Sequence, residues 1–305
     1  MSNNNKHDNS EANAANINNT TPCYYEQQGS GSPIVFIHGS YATTSTWKKI
    51  VQQLALTHHC ISIKLPGHGG MPEPADFSAP NIETELAIVE SVIAEVCEQR
   101  AQTNQHEQYE QHDQYKQPNQ YEQSKQAIQL IGHSFGGVVA LALALKGSVN
   151  IRALTLFEPV TTWVFTAVSD NEMTTQVNKF IQGYRQGIRN NEPYVCGQVI
   201  DFWGGEGAFE PLPDFIKDGM VPLTENNNRH WTLCENTYHD RSALQALTIP
   251  TKLVCGSASN PIAQAIVSHL SHELPNNKRY TVAGASHFLV TSHANECLAI
   301  INESV

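Results

Sequence analysis

The sequence predicts an α/β protein built on a mostly parallel central sheet that is flanked by helices. Short runs of mostly apolar residues, such as residues 33–37 and 127–131, alternate with longer segments whose apolar residues recur at helical spacing. A continuous apolar run is typical of a strand that is buried on both faces, as in a parallel sheet covered by helices. A stretch between residues 160 and 245 loses this alternation and contains three of the four tryptophans.

Each run has a place in the predicted order of elements. We expect the strands at residues 33–37, 60–65, 127–131, 153–157, 251–255 and 279–282. The helices are expected between them, at residues 47–54, 82–96, 135–146 and 262–270, with a last one at 293–301. Strand and helix therefore alternate along the chain, which implies parallel strands joined by helical crossovers.

This order divides the chain into a core, an insertion and a tail. We assign residues 22–159 and 246–305 to the α/β core, and residues 160–245 to a helical cap inserted after a strand. Residues 1–21 are mostly Asn, Ser, Ala and charged residues, so we expect a disordered N-terminal tail.

Residues 101–126 contain a hexapeptide that is repeated three times, with Gln at every third position and one Tyr in each copy. This composition cannot bury a core, and a surface loop accepts a long insertion because closure entropy grows only logarithmically with length. We therefore predict a disordered, passive insertion. An adhesive or partner-binding tract, in which the tyrosines make the contacts, is the alternative interpretation.

Composition excludes several classes of partner. The chain has 18 basic and 29 acidic residues, a net charge of -11, which disfavours binding to nucleic acid. The seven cysteines are scattered singly, a pattern typical of reduced thiols in a cytoplasmic protein. The longest apolar run, residues 138–145, is too short to span a membrane. We expect a cytoplasmic protein with a small-molecule substrate, and the oligomeric state stays open.

The strongest chemical motif lies at residues 132–136, which read Gly-His-Ser-Phe-Gly and match G-x-S-x-G. The motif follows an apolar strand and precedes an apolar helix, the setting in which a nucleophilic serine occupies a sharp turn with its hydroxyl exposed. The N-terminus of the following helix favours negative charge that develops there. The pattern therefore predicts Ser134 as a nucleophile.

Together with two other motifs, this one makes the chain from about residue 22 onward resemble the α/β-hydrolase superfamily. Residues 65–69, Leu-Pro-Gly-His-Gly, look like the family's loop after the strand that we predict at residues 60–65. Residues 284–287, Gly-Ala-Ser-His, resemble its catalytic-histidine loop. The resemblance implies the α/β-hydrolase fold with an inserted helical cap. It also implies a serine hydrolase in which His287 is the general base, since the family order is serine, acid, histidine.

A fourth motif, residues 38–40, His-Gly-Ser, looks like the family's oxyanion loop. The resemblance points to the backbone N–H groups of Ser40 and Phe135 as the oxyanion hole.

The acidic member of the triad departs from the commoner family pattern. Residues 256–261, where the family usually carries an aspartate, contain no carboxylate, and Asn260 stands near the expected position. An amide cannot stabilise an imidazolium as a carboxylate does, and Asp-to-Asn exchange costs about 10⁴ in turnover in a serine-protease triad. Glu158 directly follows the preceding strand, as in some α/β-hydrolases, so we predict that it is the acid. A contact with the cap is its alternative role, and three other candidates for the acid stay open: Asn260, Asp201 and Asp240.

The predicted cap is rich in aromatic residues, which form its own core or the walls of a substrate pocket. The paired glycines after Phe202 and Trp203 allow a tight loop over a cleft. We expect Trp163, Phe202, Trp203 and His133 to line the pocket, although packing is the alternative for each of them.

These features predict a serine hydrolase that cleaves a small to medium carboxylic ester through an acyl-enzyme. Neither a cofactor nor a metal is implied, since no residues show ligand spacing. The same triad also supports cleavage of a carbon–carbon bond, an amide or a thioester. A non-catalytic ligand-binding protein on a hydrolase fold is the alternative from a different class, and the missing aspartate is its best support.

Overall fold

The computed structural model describes residues 23–109 and 127–304. The predicted disordered tail at residues 1–21 lies outside them, and so do residues 110–126 of the predicted insertion. The backbone of residues 101–109, which we had included in that insertion, instead continues a helix that ends at Tyr109. Gln, Glu and Ala favour helix, so the preceding helix extends into the polar segment without needing an apolar face.

Seven strands form one sheet in the order β1-β3-β2-β4-β5-β6-β7, and they have the following bounds: β1 Tyr25–Gln28, β2 Ser32–Ile37, β3 His58–Ile63, β4 Ile128–His133, β5 Ile151–Phe157, β6 Thr251–Gly256 and β7 Asn277–Val282. All neighbouring pairs are parallel except β1 with β3, which is antiparallel. The prediction of a mostly parallel sheet is therefore confirmed.

Strand β1 was not predicted. It lies at the edge of the sheet, and of its four residues only Tyr25 is buried. So short a strand with one buried side chain carries neither a continuous apolar run nor a detectable alternation.

Helices follow most of the strands, with these bounds: α1 Lys48–Leu54, α2 Glu83–Tyr109, α3 Phe135–Lys146, α4 Trp163–Ala167, α5 Asn171–Arg189, α6 Cys196–Gly204, α7 Asp214–Met220, α8 Thr224–Asn236, α9 Arg241–Ala246, α10 Pro261–Glu273, α11 Leu289–Ser292 and α12 Ala294–Asn302. None of the helices in the described ranges is long and apolar enough to cross a membrane.

The sheet separates two apolar clusters. Along β2, Val35 and Ile37 belong to the cluster that contains α2, α3 and α10, whereas Ile34 and Phe36 belong to the cluster that contains α1 and α12. Successive side chains of a strand point to opposite faces, so a central strand covered on both sides is mostly apolar. This requirement explains why apolar residues predominate in the central strands.

Helices α4 to α9 lie between β5 and β6 in the chain and cover the residues that we predicted as the cap. An ion pair joins this segment to the core. Arg229 of α8 is 1% exposed, and its guanidinium lies 2.5 Å from Glu85 Oε1 of α2 and 2.9 Å from Asp76 Oδ1. Since a buried charge is tolerated only when it is paired, this contact fixes the position of α8 against the core.

We expect Arg229→Met to lower the free energy of unfolding by about 3–5 kcal/mol, because it leaves the carboxylate of Glu85 buried without its partner. Urea denaturation would measure the change. Arg185→Met is a matched control, since the side chains of the Arg185–Glu235 pair are 28% and 34% exposed. Its loss should be about 1 kcal/mol or less. Equal losses in the two variants would contradict this account of how α8 is held.

Candidate active site

Ser134 occupies the turn between β4 and α3, with φ 56° and ψ −123°. This is a strained conformation for a residue with a side chain, and the surrounding backbone holds it. The Ser134 N–H donates to the carbonyl of Phe157, 3.0 Å away. A Cβ atom on Gly136 would lie 2.2 Å from the carbonyl oxygen of Ile37, so the turn requires glycine there. The close approach of the two backbones explains the second glycine of the motif.

His287 follows β7 and lies beside Ser134, 153 residues away in the chain. Its Nε2 is 3.0 Å from Ser134 Oγ, and its Nδ1 is 2.8 Å from Glu158 Oε2. A carboxylate only accepts hydrogen bonds, so Nδ1–H donates to Glu158 and the neutral Nε2 accepts from the serine hydroxyl. The three side chains are 8%, 3% and 0% exposed, in the order serine, histidine and glutamate. They form one continuous, buried chain of hydrogen bonds.

Glu158 directly follows β5 and adopts a left-handed φ of 43°. Its Oε1 accepts the Gly256 N–H at 2.7 Å and a close hydrogen bond from the Ser259 hydroxyl. Burial raises the pKa of this carboxyl, but the hydrogen bond and charge of His287, with the Gly256 and Ser259 donors, outweigh burial and bring the pKa below its ordinary value. The side chain is therefore ionised at neutral pH.

The three other acid candidates form hydrogen bonds with groups other than His287. Asn260 caps α10 by accepting the Ile262 N–H at 2.7 Å, and its amide donates to the Phe202 carbonyl. Asp201 accepts the Phe209 N–H at 2.7 Å. Asp240 caps α9. Each side chain stabilises a local backbone turn, the usual use of Asn and Asp at such positions.

The loop after β2 brings Ser40 to the nucleophile. A Cβ atom on Gly39 would lie 2.8 Å from Ser134 Cβ, which shows how closely this loop packs on the serine turn. Ser40 and Phe135 line the same cavity as Ser134 and His287. The role of their N–H groups as an oxyanion hole stays a prediction.

The cavity over Ser134 encloses about 440 Å³ of space, which includes its opening to solvent. Its floor comes from the core, from Ser40, Phe135, His287 and Phe288. Helices α6 and α8 supply much of the opposite wall, which is mostly apolar: Val199, Ile200, Trp203, Trp231 and Cys234. The combination of apolar walls and a few polar groups is typical of a small-molecule site.

Of the four residues expected to line the pocket, Trp203 does so, and its ring stacks on the ring of His287 with centroids 5.2 Å apart. The other three have packing roles, which corrects our expectation. The His133 Nε2–H donates to the carbonyl of His287 at 2.8 Å, the Phe202 ring stacks on Phe180, and Trp163 packs against His239. Phe202 and Trp203 are adjacent on α6 and project in directions about 100° apart, and the Phe202 ring packs on Phe180 instead of lining the cavity.

Sequence reasoning missed His230 of α8, which lines the cavity and stacks on the ring of Phe135 with centroids 3.7 Å apart. The signal was present, because Asn227, His230, Trp231 and Cys234 follow the i, i+3, i+4, i+7 spacing of a single helix face.

Comparison with known proteins agrees with this architecture. The model of the alpha/beta hydrolase family matches residues 34–300, so the chain belongs to this family. The chain is 24% identical over 301 residues to the pimeloyl-[acyl-carrier protein] methyl ester esterase of Aeromonas salmonicida, covering 90% of this chain and 96% of the relative. It is 20% identical to the protein of the same name from Aliivibrio fischeri, covering 92% of this chain and 96% of the relative.

Solved structures show the same fold. MenH from S. aureus superposes with a TM-score of 0.58 at 17% identity, covering 91% of this chain and 96% of MenH. A lipase-esterase related protein from Clostridium acetobutylicum gives a TM-score of 0.61 at 18% identity, with 91% and 97% covered. The predicted α/β-hydrolase fold is confirmed, and so is the prediction of a hydrolase of the esterase type.

Two histidines next to this site are buried and held neutral. Burial, together with the charge of the nearby His287, lowers the pKa of His133 to about 3. Burial, with the charge of His68, likewise lowers the pKa of His38 to about 3. In the unfolded chain a histidine titrates at about 6.5. Between these two values the unfolded state binds a proton that the folded state does not, so stability falls as the pH falls.

We expect the free energy of unfolding to decrease from pH 7 to pH 5, with each such histidine contributing up to about 1.4 kcal/mol per pH unit below its unfolded pKa. His133→Asn should make this slope shallower by nearly one proton, as measured by urea denaturation at several pH values. His272→Asn, which changes an exposed histidine, is the control and should leave the slope unchanged. A wild-type slope in the His133 variant would contradict the assignment.

Proposed function

We propose that the protein hydrolyses a small to medium carboxylic ester through an acyl-enzyme, with Ser134 as nucleophile, His287 as general base and Glu158 as the acid of the triad. The observation that carries this proposal is the continuous chain of hydrogen bonds, 3.0 Å from Ser134 to His287 and 2.8 Å from His287 to Glu158. A nucleophile hydrogen-bonded to a base that a third group orients is the geometry of an activated serine.

In the acylation step, His287 Nε2 takes the proton of Ser134 as Oγ attacks the ester carbonyl. The oxygen that becomes negative is stabilised by the N–H groups of Ser40 and Phe135 and by the N-terminus of α3. His287 then gives its proton to the leaving alcohol. Water attacks the acyl-enzyme in the same way and releases the acid. Glu158 stabilises the imidazolium in both halves of the reaction and holds Nδ1 protonated.

One observation favours an ester over the other bonds that such a triad can cleave. The curated relatives that span nearly the whole chain are named as methyl ester esterases. Cleavage of carbon–carbon, amide or thioester bonds, and ligand binding without catalysis, are outcomes of the tests below. The cytoplasmic location and the exclusion of nucleic acid stay predictions from composition.

The test is hydrolysis of p-nitrophenyl esters of increasing acyl length. We expect turnover by the wild-type protein, an optimum at a short or medium chain, and a loss of at least about 10³ in kcat for Ser134→Ala, since removal of the nucleophile leaves only binding and oxyanion stabilisation. Labelling of Ser134 by a fluorophosphonate probe checks the serine independently. A folded protein that neither turns over nor labels would refute the enzyme and support the ligand-binding alternative.

For the acid, we expect Glu158→Gln to lower kcat by about 10³–10⁴, because a neutral amide cannot stabilise the imidazolium. Asn260→Ala should lose less than about tenfold, since it removes a helix cap worth roughly 1 kcal/mol and no contact with His287. Both values come from steady-state kinetics on the best ester, with circular dichroism to check folding. The reverse order of the two losses would reassign the acid to Asn260.

A further inference from the structure

One face of α8 lines the cavity that contains Ser134, and it carries polar atoms without a hydrogen-bond partner in the part of the chain that the structure describes. Asn227, His230, Trp231 and Cys234 share this face and all four line the cavity. Asn227 Oδ1, His230 Nε2 and Trp231 Nε1 are buried, and none of them has a hydrogen-bond partner among the described residues.

Such atoms are costly in a folded protein. A buried polar group without a partner costs about 1–3 kcal/mol, and native proteins satisfy the great majority of such groups. Three of them on a single helix face, within a cavity whose walls are otherwise mostly apolar, are the arrangement expected where a ligand supplies the missing partners.

The His230 ring is held by contacts with three neighbouring residues. Phe135 covers one face of the imidazole with centroids 3.7 Å apart, and His68 stacks on it at 5.1 Å, parallel within 9°. Nδ1 is 2.6 Å from Ser40 Oγ. Nδ1 is therefore occupied, and Nε2 is the ring nitrogen without a hydrogen-bond partner among the described residues. Burial, with the charges of His68 and Arg229, keeps the pKa of His230 well below its ordinary value, so the ring is neutral.

Helix α8 is also held rigidly. Arg229 is paired with Glu85 and Asp76, and the Asn226 amide donates to the carbonyl of Pro66 at 2.9 Å. These contacts are buried or nearly so, and they lie on the side of the helix that meets the core. The polar atoms are therefore positioned before a substrate arrives, which lowers the entropic cost of binding.

The chemistry of the face defines the group that it would recognise. Trp231 Nε1–H only donates and Asn227 Oδ1 only accepts, so a complementary group must both accept and donate. Among the described residues that line the cavity there is no Lys, Arg, Asp or Glu, so nothing there would balance the charge of a carboxylate, a phosphate or an amine.

We propose that this face of α8 selects esters that carry an uncharged group able both to donate and to accept a hydrogen bond, a hydroxyl or a secondary amide, over plain hydrocarbon or charged esters. This inference rests on the proposed esterase function and adds the substrate class. Asn227 and Trp231 determine the preference, and His230 adds a third contact while it packs against both Ser40 and Phe135.

The experiment compares kcat/KM within pairs of esters of equal shape. Ethylene glycol monobutyrate is paired with propyl butyrate to place the hydroxyl on the alcohol side. Methyl β-hydroxybutyrate is paired with methyl isovalerate to place it on the acyl side. We expect the hydroxylated member of at least one pair to be favoured about tenfold or more, since a site built to hydrogen-bond a hydroxyl discriminates strongly against its apolar analogue. Monomethyl succinate, with its carboxylate, should be the poorest substrate.

The ratio within the favoured pair is the readout, because it is independent of the fraction of folded enzyme. Asn227→Leu and Trp231→Phe, which keep the shape but remove the polar atom, should bring this ratio toward one. Asn228→Leu is the matched control and should keep the wild-type ratio, because Asn228 accepts from Arg185 Nε at 3.0 Å outside the cavity.

Two results would overturn the inference while leaving the esterase intact: equal rates within both pairs, or a ratio that survives both Asn227→Leu and Trp231→Phe. A preference for monomethyl succinate would overturn it as well, since it would show a charged substrate. Hydrolysis of no ester at all would instead refute the proposed function together with this inference.

Discussion

The hydrogen bond between Glu158 and His287 is the interaction on which the proposed site depends. Glu158 is fully buried, and a buried carboxylate is tolerated only when its oxygens are satisfied. Here one oxygen accepts from His287, and the other accepts from Gly256, Ser259 and Cys255. These contacts keep the carboxylate ionised and fix the imidazole in the orientation that reaches Ser134. The strained backbone of Ser134 and of Glu158 is held by the same network of neighbouring strand ends.

The position of Glu158 explains why the loop after β6 contains no carboxylate. Strands β5 and β6 are adjacent and parallel, with Phe157 paired to Val254, so their carboxyl ends lie side by side. A carboxylate after β5 therefore occupies the space that a carboxylate after β6 would otherwise fill. The loop at residues 256–261 then serves a different purpose: Gly256 and Ser259 donate to Glu158, and Asn260 caps α10. In the proposed triad Glu158 takes the place of the missing aspartate, which favours an enzyme over a binding protein.

Neutrality is a second constraint on the site. His38, His68, His133 and His230 surround it, and burial lowers the pKa of each, so these rings pack and hydrogen-bond without adding charge. On α8, Arg229 points away from the cavity face and forms ion pairs with Glu85 and Asp76. The cavity wall that α8 presents to Ser134 is therefore uncharged but polar, which suits an ester with an uncharged polar group.

The sequence by itself predicted the fold, and it named Ser134 and His287, which the structure brings to 3.0 Å from each other. These predictions rest on local order, because a strand buried on both faces is mostly apolar and the turn that holds Ser134 needs small residues at set positions in the chain. Only the tertiary structure decided which residues far apart in sequence come into contact. Glu158 could be named only as a candidate beside Asn260, because the sequence does not show which side chain after a strand will contact His287. Trp203 faces the cavity whereas Phe202 does not, and His230 lies over Phe135, because helix rotation and the docking of α8 are set by packing between segments far apart in sequence.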